Sequence, residues 1–357
     1  MNFKNFLQNY NKIYLKFFVR SLLKRSTPFF GLIFQVTNKC NSRCVTCFNW
    51  KVLNRELDKE LSLEEIDKFS KSFGRINNIT IGGGEPFLRE DLSEIIKCFA
   101  RNNNPSVIAI PTNCLSGDII VSRVREILES FKGTLKIGLS LDGIGQDHDR
   151  IRGVGGNFDK FLETYRKLSR LKEKYPKLRL RICTTVLNLN IDKIIDLIDY
   201  IKNNLPMINS YGLELLRGDY DQSKVSGASI DKISRVFKTI EENEDKDNFN
   251  EKVINPIYRK ILLDILSQKK QVIPCRISAF LPVVDPVGNV YPCENRPKIG
   301  NLRDFNYDLV KIWQSKEAKK ARKSVREKEC YCVHSCYQNP NIYLSLKTIF
   351  KIITRKY

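Results

Sequence analysis

The sequence predicts an α/β protein built from a partial TIM-type (β/α)6 barrel and a small C-terminal cysteine-rich α+β domain. Over residues 31–217, apolar β-branched segments alternate with amphipathic helical segments, which is typical of a parallel sheet with helical crossovers. The pattern gives six units, fewer than the eight of a complete barrel. From Cys275 onward, short strands, turns and cysteines replace the alternation.

The six strands are expected to carry the functional residues on the loops that follow them, because sites in parallel α/β folds lie at the carboxyl ends of the strands. One helix should begin at Ser62, since Ser62 and Glu65 have the spacing of a capping box. The predicted strands are 32–37, 78–81, 106–111, 135–141, 179–186 and 210–216. The predicted helices between them are 62–73, 91–103, 119–131, 157–174 and 190–203.

The segments outside the barrel divide into four parts. Residues 218–272 should form a helical connection, with helices near 229–244 and 254–268, and residues 273–338 a cysteine-rich domain with a hairpin through Leu281–Val284 and Val290–Tyr291. Residues 1–30 and 339–357 each read as a basic amphipathic helix without an acidic residue. Either these helices pack on the barrel, or they lie in the interface of an anionic membrane.

The composition limits the function classes. Among the 357 residues 42% are hydrophobic and 28% are charged, which excludes a disordered, collagen-like or polytopic membrane protein. The formal net charge of +21 indicates a negatively charged partner such as anionic lipid, a phosphorylated substrate or nucleic acid. Nucleic acid is the least favoured, because no nucleic-acid-binding motif is apparent.

The 11 cysteines indicate metal binding or catalysis rather than disulfides. The chain is too long for a small disulfide scaffold, and lysines and arginines interrupt the apolar residues at the N-terminus where a signal peptide would lie. The expected location is therefore the cytoplasm, with peripheral binding at the inner membrane face as the further alternative.

Cys40, Cys44 and Cys47 follow the first predicted strand with the spacing C-x3-C-x2-C. Three thiolates on one loop can surround one metal centre. A zinc site would need a fourth ligand nearby, and neither cysteine nor histidine lies close in sequence. An iron–sulfur cluster held by three cysteines leaves one iron open for chemistry; a zinc or structural role is the alternative.

This triplet resembles the signature of the radical S-adenosylmethionine (radical SAM) enzymes. In that family the three cysteines hold a 4Fe-4S cluster whose open iron binds S-adenosylmethionine (SAM), and reductive cleavage yields a 5′-deoxyadenosyl radical that abstracts hydrogen from the substrate. Here Thr46 stands where an aromatic residue often precedes the third cysteine, and Cys114 where relatives usually have glycine. The resemblance implies SAM contacts on four further strand ends, at Gly83, Gly84, Glu85, Pro86, Thr112, Asn113, Ser140, Asp142, Arg152, Val186 and Asn188.

The late cysteines resemble a shortened SPASM domain, the C-terminal iron–sulfur extension of this family. Cys275 is followed by twelve residues, Gly288, four residues and Cys293. The resemblance implies one auxiliary 4Fe-4S cluster, held by Cys275, Cys293 and two or three of Cys330, Cys332 and Cys336. His334 is a further candidate ligand, and a zinc site is the alternative.

The resemblance implies an enzyme that cleaves SAM reductively and modifies a peptide or protein, with an electron donor such as flavodoxin or ferredoxin. The basic termini suggest a lipid or lipid-linked sugar as the alternative substrate. A hypothesis from another class is a non-catalytic iron–sulfur or zinc-binding protein.

Overall fold

The computed structural model describes residues 10–23, 25, 27–55, 59–244 and 250–354. The predicted N-terminal helix is described only from Tyr10, as a π-helical turn (Tyr10–Tyr14) that continues into a helix ending at Leu22. Its predicted apolar residues Phe3, Phe6 and Leu7 lie outside the described residues.

Six parallel strands form the barrel wall, and their bounds agree with the predicted bounds to within two residues. The wall is open, because β6 ends the sheet. This confirms the partial barrel that the alternating pattern predicts. The strands are β1 (Gly31–Thr37), β2 (Asn78–Gly83), β3 (Val107–Thr112), β4 (Thr134–Ser140), β5 (Leu178–Val186) and β6 (Ser210–Leu215).

Helices cover the outer face of this sheet. The predicted capping box is present at the start of the second helix, where Ser62 and Glu65 each bind the other's backbone N–H. The first nine helices are α1 (Leu15–Leu22), α2 (Leu63–Lys71), α3 (Leu92–Asn103), α4 (Gly117–Ser130), α5 (Gln146–Arg152), α6 (Asn157–Lys174), α7 (Ile194–Asn204), α8 (Ile230–Glu242) and α9 (Asn255–Gln268).

The strands bury alternate residues against these helices. In β4, and in β5 from Leu178 to Ile182, the buried positions are leucines and isoleucines of the main apolar core, such as Ile137 and Leu180. Because successive side chains of a strand point to opposite faces, the residues between them face the interior of the barrel.

The C-terminal hairpin extends the barrel sheet. Its strands are β7 (Val283–Val284), β8 (Asn289–Tyr291) and β9 (Gly300–Asn301). β7 pairs in parallel with β1 on the side opposite β2, which gives a nine-stranded sheet. The strand that leads to the first cysteine loop is therefore also the strand to which the C-terminal region is attached.

The remaining helices are α10 (Leu309–Gln314), α11 (Lys316–Arg326), α12 (Ser335–Tyr343) and α13 (Leu346–Thr354). The prediction of one helix over 339–357 is wrong: two helices cover this region, and the boundary drawn at 338 falls inside α12. The chain turns between the two helices, where the Leu344 N–H donates to the carbonyl of Asn341. The Thr348 hydroxyl donates to the Ser345 carbonyl at 2.9 Å and stabilises the same turn.

Glu65 joins the C-terminal region to the barrel. Its carboxylate accepts from Arg303 Nε at 2.7 Å and from the Tyr307 hydroxyl at 2.9 Å while still capping α2. Within the described part of the chain, no helix combines the length and apolarity needed to cross a bilayer.

Candidate active site

The first cysteine loop leaves the carboxyl end of β1. Cys40, Cys44 and Cys47 are free and half-buried. The Cys40 N–H donates to Asn54 Oδ1 at 2.9 Å, and the Cys47 N–H donates to the Cys44 carbonyl at 3.2 Å. The loop therefore presents three thiols on one short, hydrogen-bonded turn.

The environment of these thiols disfavours an uncompensated negative charge. Burial raises the pKa of Cys40, and burial together with the Cys44 thiol raises the pKa of Cys47 to about 11. Metal ligation requires thiolates, so bound metal would supply the missing positive charge. Among the described residues no three His, Cys, Asp or Glu side chains stand in the geometry of one metal ion; in an iron–sulfur cluster each thiolate binds its own iron.

Glycines after β2 let the backbone pack directly against this loop. A Cβ on Gly83, whose φ is +112°, would lie 2.5 Å from the Thr37 carbonyl oxygen. A Cβ on Gly84 would lie 2.2 Å from the carbonyl oxygen of Lys39. Only glycine fits at these two positions, so the run forms a close-fitting cradle beside the cysteines.

Glu85 joins the ends of β2 and β3. The side chain is buried, and its carboxylate accepts from the Asn113 N–H at 2.7 Å and from the Phe87 N–H at 3.3 Å. Burial raises the pKa of Glu85 to about 7 although these bonds lower it. Asn113 Nδ2 in turn donates to Asn41 Oδ1 on the cysteine loop at 2.8 Å. Thr112 and Pro86 are buried beside this contact.

Asp142 organises the loop after β4. Its carboxylate accepts from the Thr185 N–H at 2.7 Å and pairs with Arg152 Nη1 at 3.2 Å. The Asp142 N–H donates to His148 Nδ1 at 3.1 Å, and burial lowers the pKa of that histidine to about 4. The carbonyl of Arg152 accepts from Ser42 Oγ at 2.9 Å, which ties this loop to the cysteine turn.

The remaining predicted SAM contacts lie in different surroundings. Ser140 ends β4 on the interior face, paired in register with Cys183. Val186 is buried in the apolar cluster between β6 and the helices. Asn188 Oδ1 accepts from the Ser226 N–H at 3.1 Å. The structure thus gathers Glu85, Asn113, Asp142 and Arg152 around the cysteine loop, and it points Val186 toward the helices.

The residues present fit the cofactors of the resembled family. The loop offers three free thiols, and the Gly83–Gly84 cradle leaves no room for side chains beside them. The Arg152 side chain is 11% exposed, and its buried Nε has no hydrogen-bond partner among the described residues. A guanidinium with a free donor suits a carboxylate such as that of SAM.

The late cysteines form a second group behind the hairpin. Cys275, Cys293, Cys332 and Cys336 all pack against the same apolar cluster, which contains Phe280 and Tyr337. Burial raises the pKa of Cys293, and the thiols of Cys275, Cys332 and Cys330 raise it further.

A buried ion pair that the sequence did not reveal lies between the two cysteine sites. Arg217, just after β6, pairs with Glu294 at 2.6 Å, and His334 Nδ1 lies 3.1 Å from the same carboxylate. Burial opposes a charge on Glu294, but the Arg217 guanidinium holds its pKa down at about 2. The guanidinium also lies 4.6 Å from the ring centroid of Phe48, next to Cys47. Residues so far apart in sequence carry no shared motif that could have predicted the pair.

A cavity of about 670 Å³ runs along the open edge of the sheet. Its wall combines interior residues of β5 and β6 with residues of α9 and α12, among them Arg181, Gly212, Glu214, Tyr258 and Ser335. The cavity therefore lies between β6, the edge strand, and the helices packed beside it.

Comparison with known proteins identifies two regions. Residues 34–203 match the model of the radical SAM superfamily, and residues 275–337 match the SPASM model of an iron–sulfur cluster-binding domain. These regions contain all eight cysteines of the two predicted sites.

Two curated relatives illustrate the range of similar proteins. Fe-coproporphyrin III synthase of Methanosarcina barkeri is 32% identical over 51% of this chain and 43% of its own length. The antilisterial bacteriocin subtilosin biosynthesis protein AlbA of Bacillus subtilis is 23% identical over 85% of this chain and 66% of its own length. This chain therefore spans less than two thirds of either relative.

A solved structure shares the fold. Streptococcus suis SuiB bound to its precursor peptide SuiA superposes with a TM-score of 0.61 at 17% identity, covering 91% of this chain and 72% of that chain. SuiB has also been solved with S-adenosylmethionine. With both family models matched in sequence, and with the cysteine loops placed as the fold requires, the chain belongs to the radical SAM superfamily and carries a SPASM-type iron–sulfur domain.

Proposed function

We propose that this protein is a radical SAM enzyme that modifies a peptide or protein. The observation that carries the proposal is the convergence of the Cys40–Cys47 loop, the Gly83–Gly84 cradle and Arg152 at one edge of the barrel. When bound there, a 4Fe-4S cluster supplies the electron that cleaves SAM and starts hydrogen abstraction from the substrate.

The chain's own residues would bind and orient the reactants. Cys40, Cys44 and Cys47 would hold the cluster, and the backbone of Gly83 and Gly84 would border SAM. Arg152 would receive the carboxylate of SAM through its free Nε, while Asp142 fixes the guanidinium. Such fixed geometry, together with the exclusion of water, is the protein's share of this chemistry.

A peptide substrate is supported by what similar proteins bind or produce. SuiB shares the fold and was solved with a precursor peptide, and AlbA acts in bacteriocin biosynthesis. The cavity beside β6 has space for a segment of extended chain, and we propose that the substrate enters the barrel there. The reaction also needs a reductant, for which flavodoxin or ferredoxin is the expected class of donor.

A second candidate is a lipid or lipid-linked sugar, with the protein bound peripherally at the inner membrane face. The observation that favours it is an exposed apolar face on each terminal helix, flanked by Lys16, Arg20, Lys347 and Lys351. Such a face with flanking bases suits an anionic lipid surface. The exposed residues are Leu15, Val19, Leu22 and Leu23 near α1, and Leu346, Phe350 and Ile353 on α13.

Anaerobic reconstitution tests the proposed enzyme. We expect about eight irons per chain and the formation of 5′-deoxyadenosine from SAM with dithionite. Cys40→Ala should lose about four irons and all SAM cleavage. Cys332→Ala is the matched variant, which should lose the auxiliary irons only. Reconstituted wild-type protein that forms no 5′-deoxyadenosine would contradict the proposal.

Flotation with vesicles separates the two substrate candidates. If the protein works at the membrane, it should float with phosphatidylglycerol-containing vesicles and not with pure phosphatidylcholine, and the variant Leu22→Glu/Phe350→Glu should stay behind. Ile119→Glu is the control, since Ile119 is an equally exposed apolar residue on α4, away from the terminal helices. Absence of flotation on both vesicle types would remove the support for a lipid substrate.

A further inference from the structure

Three cations face the interior of the barrel on two adjacent strands. Lys136 on β4 alternates with buried residues that pack against the helices, and Arg179 and Arg181 do the same on β5. Their side chains therefore point to the opposite, interior face. The register places Lys136 directly opposite Arg179, with Arg181 two residues further along β5. We refer to Lys136, Arg179 and Arg181 as the cationic floor.

This arrangement is unfavourable without a counter-ion. Like charges directly opposite one another on a sheet face repel, and the side chains of Lys136 and Arg179 are both exposed on that face. Within the described ranges, no ion pair involves Lys136 or Arg179, and the acid nearest Arg181 is Glu214 at 3.7 Å. That carboxylate is shared with the Ser335 hydroxyl at 2.7 Å. The floor therefore keeps an excess of positive charge.

Small residues lie beside the cations of the floor. Gly212 on β6 lies beneath Arg181, because a Cβ at that position would be 1.8 Å from Arg181 Nη2. Gly138 and Ala109 occupy the neighbouring positions on β4 and β3. Arg181 and Gly212 also line the cavity of about 670 Å³ beside β6. The Arg181 guanidinium thus approaches the Gly212 backbone closely and borders this cavity.

We propose that the cationic floor binds an oxyanion of the substrate, a carboxylate or a phosphate, inside the barrel. A cleft lined by charges of one sign concentrates oppositely charged ligands, and a guanidinium matches both oxyanions with two parallel hydrogen bonds. The inference rests on the proposed function, because it requires the substrate to enter the barrel. It limits the possible substrates to those with an acidic group that can reach the cationic floor below the cysteine loop.

Isothermal titration of the reconstituted, SAM-loaded protein with two probes, pyrophosphate and tetraglutamate, tests the site. Lys136→Gln and Arg179→Gln should each raise the Kd of the bound probe about tenfold or more, and Lys136→Arg should restore binding. The matched control is Lys132→Gln, since Lys132 is exposed just before β4 and outside the barrel interior.

Thermal unfolding adds a readout that separates a binding role from a structural one. Lys136→Gln should raise Tm in the absence of anion, because it removes the repulsion with Arg179, and it should abolish the rise in Tm that the probe causes in wild type. A lysine that merely supports the fold would lower Tm when replaced. Gly212→Ala should weaken probe binding by displacing the Arg181 guanidinium while keeping its charge.

Binding of either probe would support the site, and the probe that binds identifies the chemical group that carries the oxyanion. Binding of tetraglutamate alone assigns the oxyanion to a carboxylate, and binding of pyrophosphate alone assigns it to a phosphate. The proposal is overturned if neither probe binds wild type, or if Lys132→Gln weakens binding as much as Lys136→Gln. Failure of the proposed enzyme is seen separately, as absence of 5′-deoxyadenosine in wild type.

Discussion

At the scale of single residues, Glu294 depends on Arg217 to stay charged in a buried position. The carboxylate lies between the two cysteine sites, and its ion pair of 2.6 Å is largely shielded from solvent. Removal of Arg217 leaves the carboxylate with His334 alone, whose Nδ1 lies 3.1 Å away, and loss of a partner from such a shielded charge costs more than the pair itself contributes.

Arg217→Met should therefore lower the free energy of unfolding by about 3–5 kcal/mol. The double variant Arg217→Met/Glu294→Gln should recover much of this loss, because it also removes the stranded charge. Lys51→Met serves as the control, since the Lys51–Asp219 pair is exposed and should contribute at most about 1 kcal/mol. Guanidinium denaturation under anaerobic conditions gives the free energy of unfolding of wild type and of the three variants. If Arg217→Met is as stable as Lys51→Met, Glu294 does not depend on Arg217.

The sequence was sufficient to predict which residues lie at the candidate active site, but not which contacts they make. Motif spacing placed Glu85 and Asp142 at strand ends, where the structure has them. It did not reveal that both carboxylates accept backbone N–H groups from a neighbouring strand end. Those bonds depend on which loops become neighbours in space. Val186 shows the same limit, because only the pleat of β5 decides which face of the sheet it joins.

At the scale of elements, Glu65 has two tasks. The local spacing with Ser62 predicted its capping role, which the structure confirms. Its contacts with Arg303 and Tyr307 join residues more than two hundred positions apart, and no local pattern could have predicted them. One carboxylate thus begins α2 and attaches the C-terminal region to it.

Glu65→Gln should destabilise the protein more than Glu64→Gln, its immediate neighbour. The amide loses the charged contacts with Arg303 and Ser62, which are worth about 1–2 kcal/mol, whereas Glu64 is exposed and pairs with Lys68 on the surface of the same helix. Thermal unfolding at neutral pH measures the two variants side by side. Equal Tm values for both would show that Glu65 contributes no more than a surface residue.

The Glu65 contribution should also depend on pH. The Arg303 hydrogen bond lowers the pKa of this carboxyl from 4.5 to about 2. A lowered pKa in the folded state stabilises the protein fully above pH 4.5, and this stabilisation is lost as pH falls from 4.5 toward 2. The difference in free energy of unfolding between wild type and Glu65→Gln should shrink over that range, measured by denaturation at each pH where the native state persists. A difference that stays constant there would contradict the assignment.

At the scale of the whole molecule, the sequence predicted the barrel and the hairpin as separate parts, and the structure makes them one sheet. The strand–helix alternation is a local signal repeated six times, so the barrel could be predicted. The pairing of β7 with β1 involves two residues of β7, and such a short strand pairs with a partner that its own sequence does not specify.

A chain ending at residue 272 should consequently fail to behave as an isolated barrel. It would lose β7 and expose the edge of β1 together with Phe17, Phe30 and Ile33, which belong to the same apolar cluster as the deleted Phe280 and Leu281, and unpaired strand edges favour aggregation. We expect the truncated chain to elute as aggregates in size-exclusion chromatography. A monomeric truncated chain that still cleaves SAM would show that the hairpin is dispensable.

The pairing of β7 with β1 also bears on how electrons would pass between two clusters. Cys40 lies just beyond one end of β1, and Cys275 and Cys293 flank the hairpin that pairs with the same strand. A hydrogen-bonded sheet resists hinge motion, so the gap between the two centres is set by the fold. If clusters were held at both cysteine sites, the distance that an electron would travel between them would be the same in every turnover, because no domain movement separates the two loops.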